Sequence, residues 1–294
     1  MGRAKDLLVN SDKKADGSSR DWQKDAGFDV YIESYGVKIR IGTDHPEAFR
    51  TIEKILRAVL PDCFEIIEKT DVEHHFTLVW DRDGEDSLYL NGREVPSNHT
   101  RTDVLRGFET QLRLTVAEYA PDRIFVHAGV VAWKDLAIVI PARSFQGKTS
   151  LVAELVRRGA VYYSDEYAIF DAEGFVYPFP KTLSIRGVID EYTQKEYPVE
   201  AFGGRAGEKK IPVGMILITG YQPDAEWKPE LLSAGQGILE ILEHVVPIRY
   251  NPKFSIKVLN QVANRAIIAK TLRDDVTKSA ALILDFFESE CIKK

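Results

Sequence analysis

The stretch from Ile124 to Ser150, I-F-V-H-A-G-V-V-A-W-K-D-L-A-I-V-I-P-A-R-S-F-Q-G-K-T-S, narrows the fold more than any other part of the chain. Two nearly continuous apolar runs, I-F-V-H-A-G-V-V-A and L-A-I-V-I, are joined by the short turn W-K-D. Runs without polar alternation mark strands buried on both faces, the centre of an α/β sheet. L-V-A-E-L-V-R-R-G follows with helical spacing, and Gly159 suits its end. V-Y-Y-S-D-E and G-M-I-L-I-T supply two more strands, and helical periodicity returns at about 234–245, 252–272 and 276–289.

A different texture precedes Pro121. Residues 1–26 are polar and charged without a sustained period, the signature of a flexible tail. F-D-V-Y-I-E-S-Y-G-V-K-I-R-I alternates around S-Y-G like a hairpin with one buried face. A helix is predicted after it, with Asp44 as cap, Pro46 and Glu47 in the first turn and Pro61 as the stop. Strands are expected at 75–80 and 87–90, with a tight turn at Asn91-Gly92 and a second helix from about Thr102 to Tyr119. The predicted organisation is a tail (1–26), a smaller α/β domain (27–120) that recognises an acceptor or regulates, and a larger α/β domain (121–294).

Between strand and helix, Ala142, Arg143, Ser144, Phe145, Gln146, Gly147, Lys148 and Thr149 span the eight positions of a phosphate-binding loop, and Ser150 follows. Such a loop presents backbone N–H groups at a helix start, where the helix dipole favours an anion. It adds a lysine for the outer phosphates and a hydroxyl for Mg²⁺. Ala142 stands where the usual first glycine would be, and alanine is the smallest residue that retains a Cβ. The bland reading is a solvated turn with an exposed lysine. Asp165 comes seventeen positions after Lys148, with Glu166 next to it, where carboxylates leaving a strand can hold Mg²⁺ or take a proton from a hydroxyl. A turn or helix cap explains most such pairs. His127 lies on an apolar strand, the usual place of a hydrogen-bonded core histidine.

Residues 127–187 resemble the catalytic domain of the HPr kinase/phosphorylase family, a kinase fold related to phosphoenolpyruvate carboxykinase. The resemblance rests on His127 in H-A-G-V-V, on Gly147-Lys148-Thr149, on Arg158-Gly159, on Asp165-Glu166 and on L-S-I-R-G at 183–187. It implies a P-loop kinase domain with a central mixed sheet, preceded here by the smaller α/β domain. It further implies that Lys148 binds the outer phosphates of ATP and that Thr149, Asp165 and Glu166 are the Mg²⁺ ligands. Asp165 would be the catalytic carboxylate, and His127 would line the phosphate pocket. Three positions depart from the family pattern: Ala142 for glycine, Glu166 for aspartate, and Ser184 for the glutamate of L-E-I-R-G. P-A-R-S-F-x-G-K-T and Y-Y-S-D-E-Y are more similar to a looser group of HPr-kinase-like proteins, some of which phosphorylate serine hydroxyls on peptides or free serine.

The resulting expectation is an ATP- and Mg²⁺-dependent kinase acting on a hydroxyl of a peptide, protein or small molecule. The alternative is a nucleotide-binding regulatory module with little turnover. A third reading is simple ATP hydrolysis. Composition agrees with a globular chain: 294 residues, 44% hydrophobic and 29% charged. A net charge of −6 offers no general attraction to nucleic acid or anionic lipid. No apolar run approaches the roughly 20 residues of a membrane span, no secretory signal is recognised, and two cysteines make no disulfide framework. A cytoplasmic protein is expected, with homo-oligomerisation left open. Among secondary candidates, His74-His75 lack a third metal ligand, and Arg186, Arg205, Lys209, Lys210 and Arg249 could meet a phosphate or form surface ion pairs.

Overall fold

The computed structural model describes residues 27–81, 85–142, 147–186 and 194–292. They form two compact units, divided between Pro121 and Asp122. In the first, β1 (Phe28–Ser34) and β2 (Val37–Thr43) make a hairpin, followed by α1 (Pro46–Val59), β3 (Glu65–Ile66), β4 (His74–Val79), β5 (Ser87–Leu90), β6 (Arg93–Glu94) and α2 (Arg101–Tyr119). The sheet order is β3-β1-β2-β4-β5-β6. Ile32, Ile39, Ile41, Phe76 and Leu78 from the strands are fully enclosed, as are Ile52 and Leu56 of α1 and Phe108 and Leu112 of α2. The predicted cap of α1 is corrected here. His45 is the N-cap, with Nδ1 accepting from the Glu47 N–H at 3.2 Å. Asp44 instead accepts from the Trp80 N–H at 3.4 Å, because the helix starts one residue later than its carboxylate requires.

The second unit opens with β7 (Ile124–Trp133) and β8 (Leu136–Pro141), the two apolar runs. Lys134 and Asp135 both have positive φ, which matches a two-residue hairpin turn to the twist of its strands. The chain continues through α3 (Lys148–Arg157), β9 (Val161–Ser164), β10 (Tyr167–Phe170), β11 (Phe175–Tyr177), β12 (Leu183–Arg186), β13 (Gln194–Tyr197), β14 (Ile211–Tyr221) and β15 (Glu230–Leu231). It ends with α4 (Ala234–Leu242), α5 (Pro252–Ala263), β16 (Ile267–Arg273) and α6 (Val276–Phe287). An eight-stranded sheet runs β11-β10-β7-β8-β14-β16-β15, with β9 also on β7 and β11 also on β14. β8, β14 and β16 are mutually parallel neighbours, and the remaining pairs are antiparallel, so the sheet is mixed. One core cluster gathers strand residues with Ile241, Val258 and Val262 of α4 and α5. The other gathers Leu151, Val152 and Leu155 of α3 with Ile283 and Phe287 of α6. Helices therefore cover both faces, which explains the unbroken apolar runs of β7 and β8.

The single helix expected over 252–272 is corrected: α5 stops at Ala263 and β16 begins at Ile267. From Ala269 to Arg273 buried and exposed residues alternate, and Ile267, Ile268 and Thr271 are β-branched. Asp165 and Glu166, read as the end of the strand run V-Y-Y-S-D-E, form the turn from β9 to β10. The fold is mixed α/β, with six α-helices among the described residues. None of them is long and apolar enough to cross a membrane.

Candidate functional site

The site grows from one close approach. Strand β7 passes under α3 at Gly129, where an added Cβ would lie 2.6 Å from Val152 Cγ2 and 3.1 Å from Lys148 Cγ. Glycine lets the start of the helix settle onto the strand, which brings Lys148 into the protein rather than into solvent. Lys148 is 8% exposed. Gly147 precedes it with φ 70, a left-handed conformation that suits glycine. Its carbonyl accepts from Arg273 Nη2 at 3.2 Å, and a Cβ there would lie 2.8 Å from that nitrogen. Arg273 is buried at the carboxyl end of β16, and burial lowers its pKa.

Side chains cap α1, α2, α4 and α6, whereas the N-cap residues of α3 and α5 make no side-chain cap bond, and Gly147 of α3 has no side chain to offer. The positive end of the helix dipole lies there, with Thr149 half-buried and Ser150 exposed beside it. Ala142 is buried at the end of β8. Arg143, Ser144, Phe145 and Gln146 lie outside the described residues.

His127 sits on β7 facing Lys148. Its Nδ1 is 2.8 Å from the Ala142 carbonyl, which can only accept, so Nδ1 carries the proton. Lys148 Nζ stands almost equidistant from the two ring nitrogens, 3.3 Å from Nδ1 and 3.2 Å from Nε2, against the ring rather than in line with the Nε2 lone pair. Burial and the neighbouring ammonium both lower the His127 pKa, against the opposing pull of Glu166, so the ring is neutral. Lys148 is paired with a neutral group and forms no ion pair among the described residues. Burial pushes its pKa down to about 8, with Glu166 the stronger and Asp165 the weaker carboxylate working against that shift.

The two carboxylates divide the space. Glu166 Oε1 is 3.8 Å from His127 Nε2, and the Glu166 carbonyl accepts from the Ala128 N–H at 3.2 Å. Asp165 turns inward and is 5% exposed, with Oδ1 3.1 Å from the Tyr162 hydroxyl. The turn holding them is fixed by Ser164 Oγ, which accepts from the N–H groups of Glu166 at 3.0 Å and Tyr167 at 2.9 Å. Burial raises the Asp165 pKa, with Lys181 the strongest opposing influence, ahead of Tyr162 and Lys148.

His127, Lys148, Asp165 and Glu166 thus meet at one end of the sheet, with Gly147 and Thr149 beside them. Gly129, Tyr162, Lys181 and Arg273 join them and were not singled out in the sequence. His244 belongs to the same neighbourhood, since its carbonyl accepts from the His127 N–H at 2.8 Å. The secondary candidates fall elsewhere or are otherwise engaged. His74 packs against Tyr119 with ring centroids 4.4 Å apart, Lys210 pairs with Asp171 at 2.7 Å, and Lys209 lies 3.9 Å from Asp135. Arg205 and Arg249 are exposed, and the Arg186 side chain lies outside the described residues. No group of three or more His, Cys, Asp or Glu side chains gathers as a metal site among the described residues.

No family model and no curated protein matches the chain. Among solved structures, it is similar to the HPr(Ser) kinase/phosphatase from Coxiella burnetii at 15% identity and a TM-score of 0.31, covering 55% of this chain and 95% of that one. At that score the likeness assigns neither a family nor an activity.

Proposed function

We propose that this protein is an ATP- and Mg²⁺-dependent kinase that transfers a phosphoryl group to a hydroxyl acceptor. The reading is carried by one observation: a helix start that opens with Gly147-Lys148-Thr149 and encloses an ammonium with no carboxylate partner among the described residues. A buried cation is costly to leave unpaired, and the helix N-terminus beside it favours an anion such as a triphosphate. The donor set also fits Mg²⁺. That ion uses one or two carboxylates with phosphate oxygens and water and needs no three-ligand protein cage. Thr149 and Glu166 would hold it, with Asp165 adjacent, and when bound it would neutralise charge on the transferred group.

Lys148 steers and neutralises the outer phosphates, while neutral His127 holds the ammonium in place without competing as an anion. Asp165 receives the acceptor's proton. As its O–H bond breaks, the acceptor oxygen bonds to the γ-phosphorus and the bond from that phosphorus to the β-bridging oxygen breaks, releasing ADP. Burial that raises the Asp165 pKa makes it a stronger base than an exposed aspartate. The acceptor is a peptide, protein or small molecule bearing a hydroxyl, and the first unit is proposed to help select it.

The test is incubation of the full chain with radiolabelled ATP, Mg²⁺ and serine peptides, free serine or cell extract. Labelled phosphate on an acceptor supports the kinase. Binding without transfer supports the alternative of a regulatory nucleotide-binding module, which Ala142 and Ser184 favour as departures from the resembled pattern. Phosphate release without an acceptor identifies a hydrolase.

A further inference from the structure

Arg273 reaches the start of α3 from two strands away, since β14 lies between β8 and β16. Its backbone is fixed on β16, opposite Tyr221 in the parallel register with β14, and its carbonyl accepts from the Gln222 N–H at 2.9 Å. The side chain is buried and crosses to Gly147, where Nη2 donates to the carbonyl at 3.2 Å. A Cβ at Gly147 would lie 2.8 Å from that nitrogen. Glycine here therefore serves two needs, the left-handed backbone and the approach of the guanidinium.

The Gly147 carbonyl also accepts from the Leu151 N–H at 3.2 Å, the first helical bond of α3. Two donors thus fix the plane of the Gly147–Lys148 peptide. In a trans peptide the N–H points opposite to the carbonyl, so the Lys148 N–H is directed out of the helix start. Charge supplies a separate observation. A cation is favoured at the C-terminus of a helix and disfavoured at its N-terminus. Here a buried guanidinium stands at the N-terminus of α3, whose first residue carries the buried Lys148 ammonium. An anion entering that end meets the dipole and both cations together, and arginine is well shaped for phosphate oxygens.

We propose that Arg273 is a positioning residue of the phosphate site: it locks the Gly147–Lys148 peptide so that the Lys148 N–H faces the phosphate, and its charge strengthens the hold on it. This rests on the nucleotide-binding part of the kinase reading. The experiment is calorimetric titration of the full chain with ATP and Mg²⁺, and separately with inorganic triphosphate, at one neutral pH. The parent, Arg273→Met and Arg273→Lys are compared, with the melting temperature of each recorded. Arg273→Met should weaken both ligands by the same factor, roughly tenfold or more, the size of a lost hydrogen bond involving a charged group. Arg273→Lys, which keeps the charge, should recover part of that loss. The shared factor is the readout that a merely structural role would not produce. If the methionine variant does not fold, Arg273→Gln, neutral but with an amide donor, takes its place with the same expectation. Unchanged affinity in a folded neutral variant, whatever its melting temperature, overturns the proposal. So does a loss with ATP that triphosphate does not share. A parent that binds neither ligand rejects the nucleotide reading itself, and the proposal with it.

Discussion

In the first unit the carboxylate of Asp86, 1% exposed, is matched on both oxygens: Arg101 Nε donates at 2.8 Å and the Asp81 N–H at 3.1 Å. The same guanidinium lies 3.9 Å over the Trp80 ring, and its hydrogen bond to Asp86 raises the Arg101 pKa. In the second unit, similarly buried charges at Lys148 and Asp165 meet a neutral imidazole and a tyrosine hydroxyl instead. Their pKa values move towards the neutral forms, to about 8 for Lys148 and upward for Asp165. The first arrangement commits its charge to a partner and supports structure. The second leaves charge available to something that arrives, which is the property expected of a site.

The contrast can be tested most sharply at Asp165. Asp165→Asn keeps size and one acceptor oxygen but removes the charge that takes the proton. Phosphoryl transfer measured by label incorporation should fall at least about a hundredfold, while ATP affinity by calorimetry changes much less. A lowered melting temperature with activity per folded molecule unchanged would place Asp165 with Asp86 as a structural residue. Asp86→Ala should show the reverse pattern. Chemical denaturation should report a loss of about 1–3 kcal/mol from the unpaired donors, and ATP affinity should be unchanged.

Ala142→Gly carries the smallest effect. Ala142 is buried at the end of β8, and glycine there should cost about 0.5–1 kcal/mol of stability through added backbone freedom. Nucleotide affinity should hold or improve. A collapse of affinity on calorimetry would show that the methyl group itself shapes the loop.

The sequence marks β7, β8 and α3 clearly, because strands covered on both faces cannot alternate and the helix follows at once. The meeting of His127, Lys148 and the carboxylate turn is also legible, since all three lie on adjoining segments. Arg273 is hidden for a specific reason. When 252–272 is taken as one helix, Arg273 falls just past its end, whereas β16 places it at the carboxyl end of a parallel strand, where ligands of α/β sheets gather. Gly129 is hidden because its role is an approach between α3 and β7 that no local pattern encodes. Lys181 is hidden because its partners come from a hairpin register and a tyrosine nineteen positions earlier.

The most direct measurement of whether the second unit holds its charge for a ligand is calorimetric titration of ATP with Mg²⁺ across pH 7 to 10, in the parent and in Lys148→Ala. Phosphate favours the ammonium form, and free Lys148 titrates near pH 8. Parent affinity should therefore be complete below that pH and fall as pH rises through it, by up to about tenfold per pH unit. Lys148→Ala should fold normally, lose tight binding and show no such dependence. Equal ATP affinity in parent and variant would contradict the account.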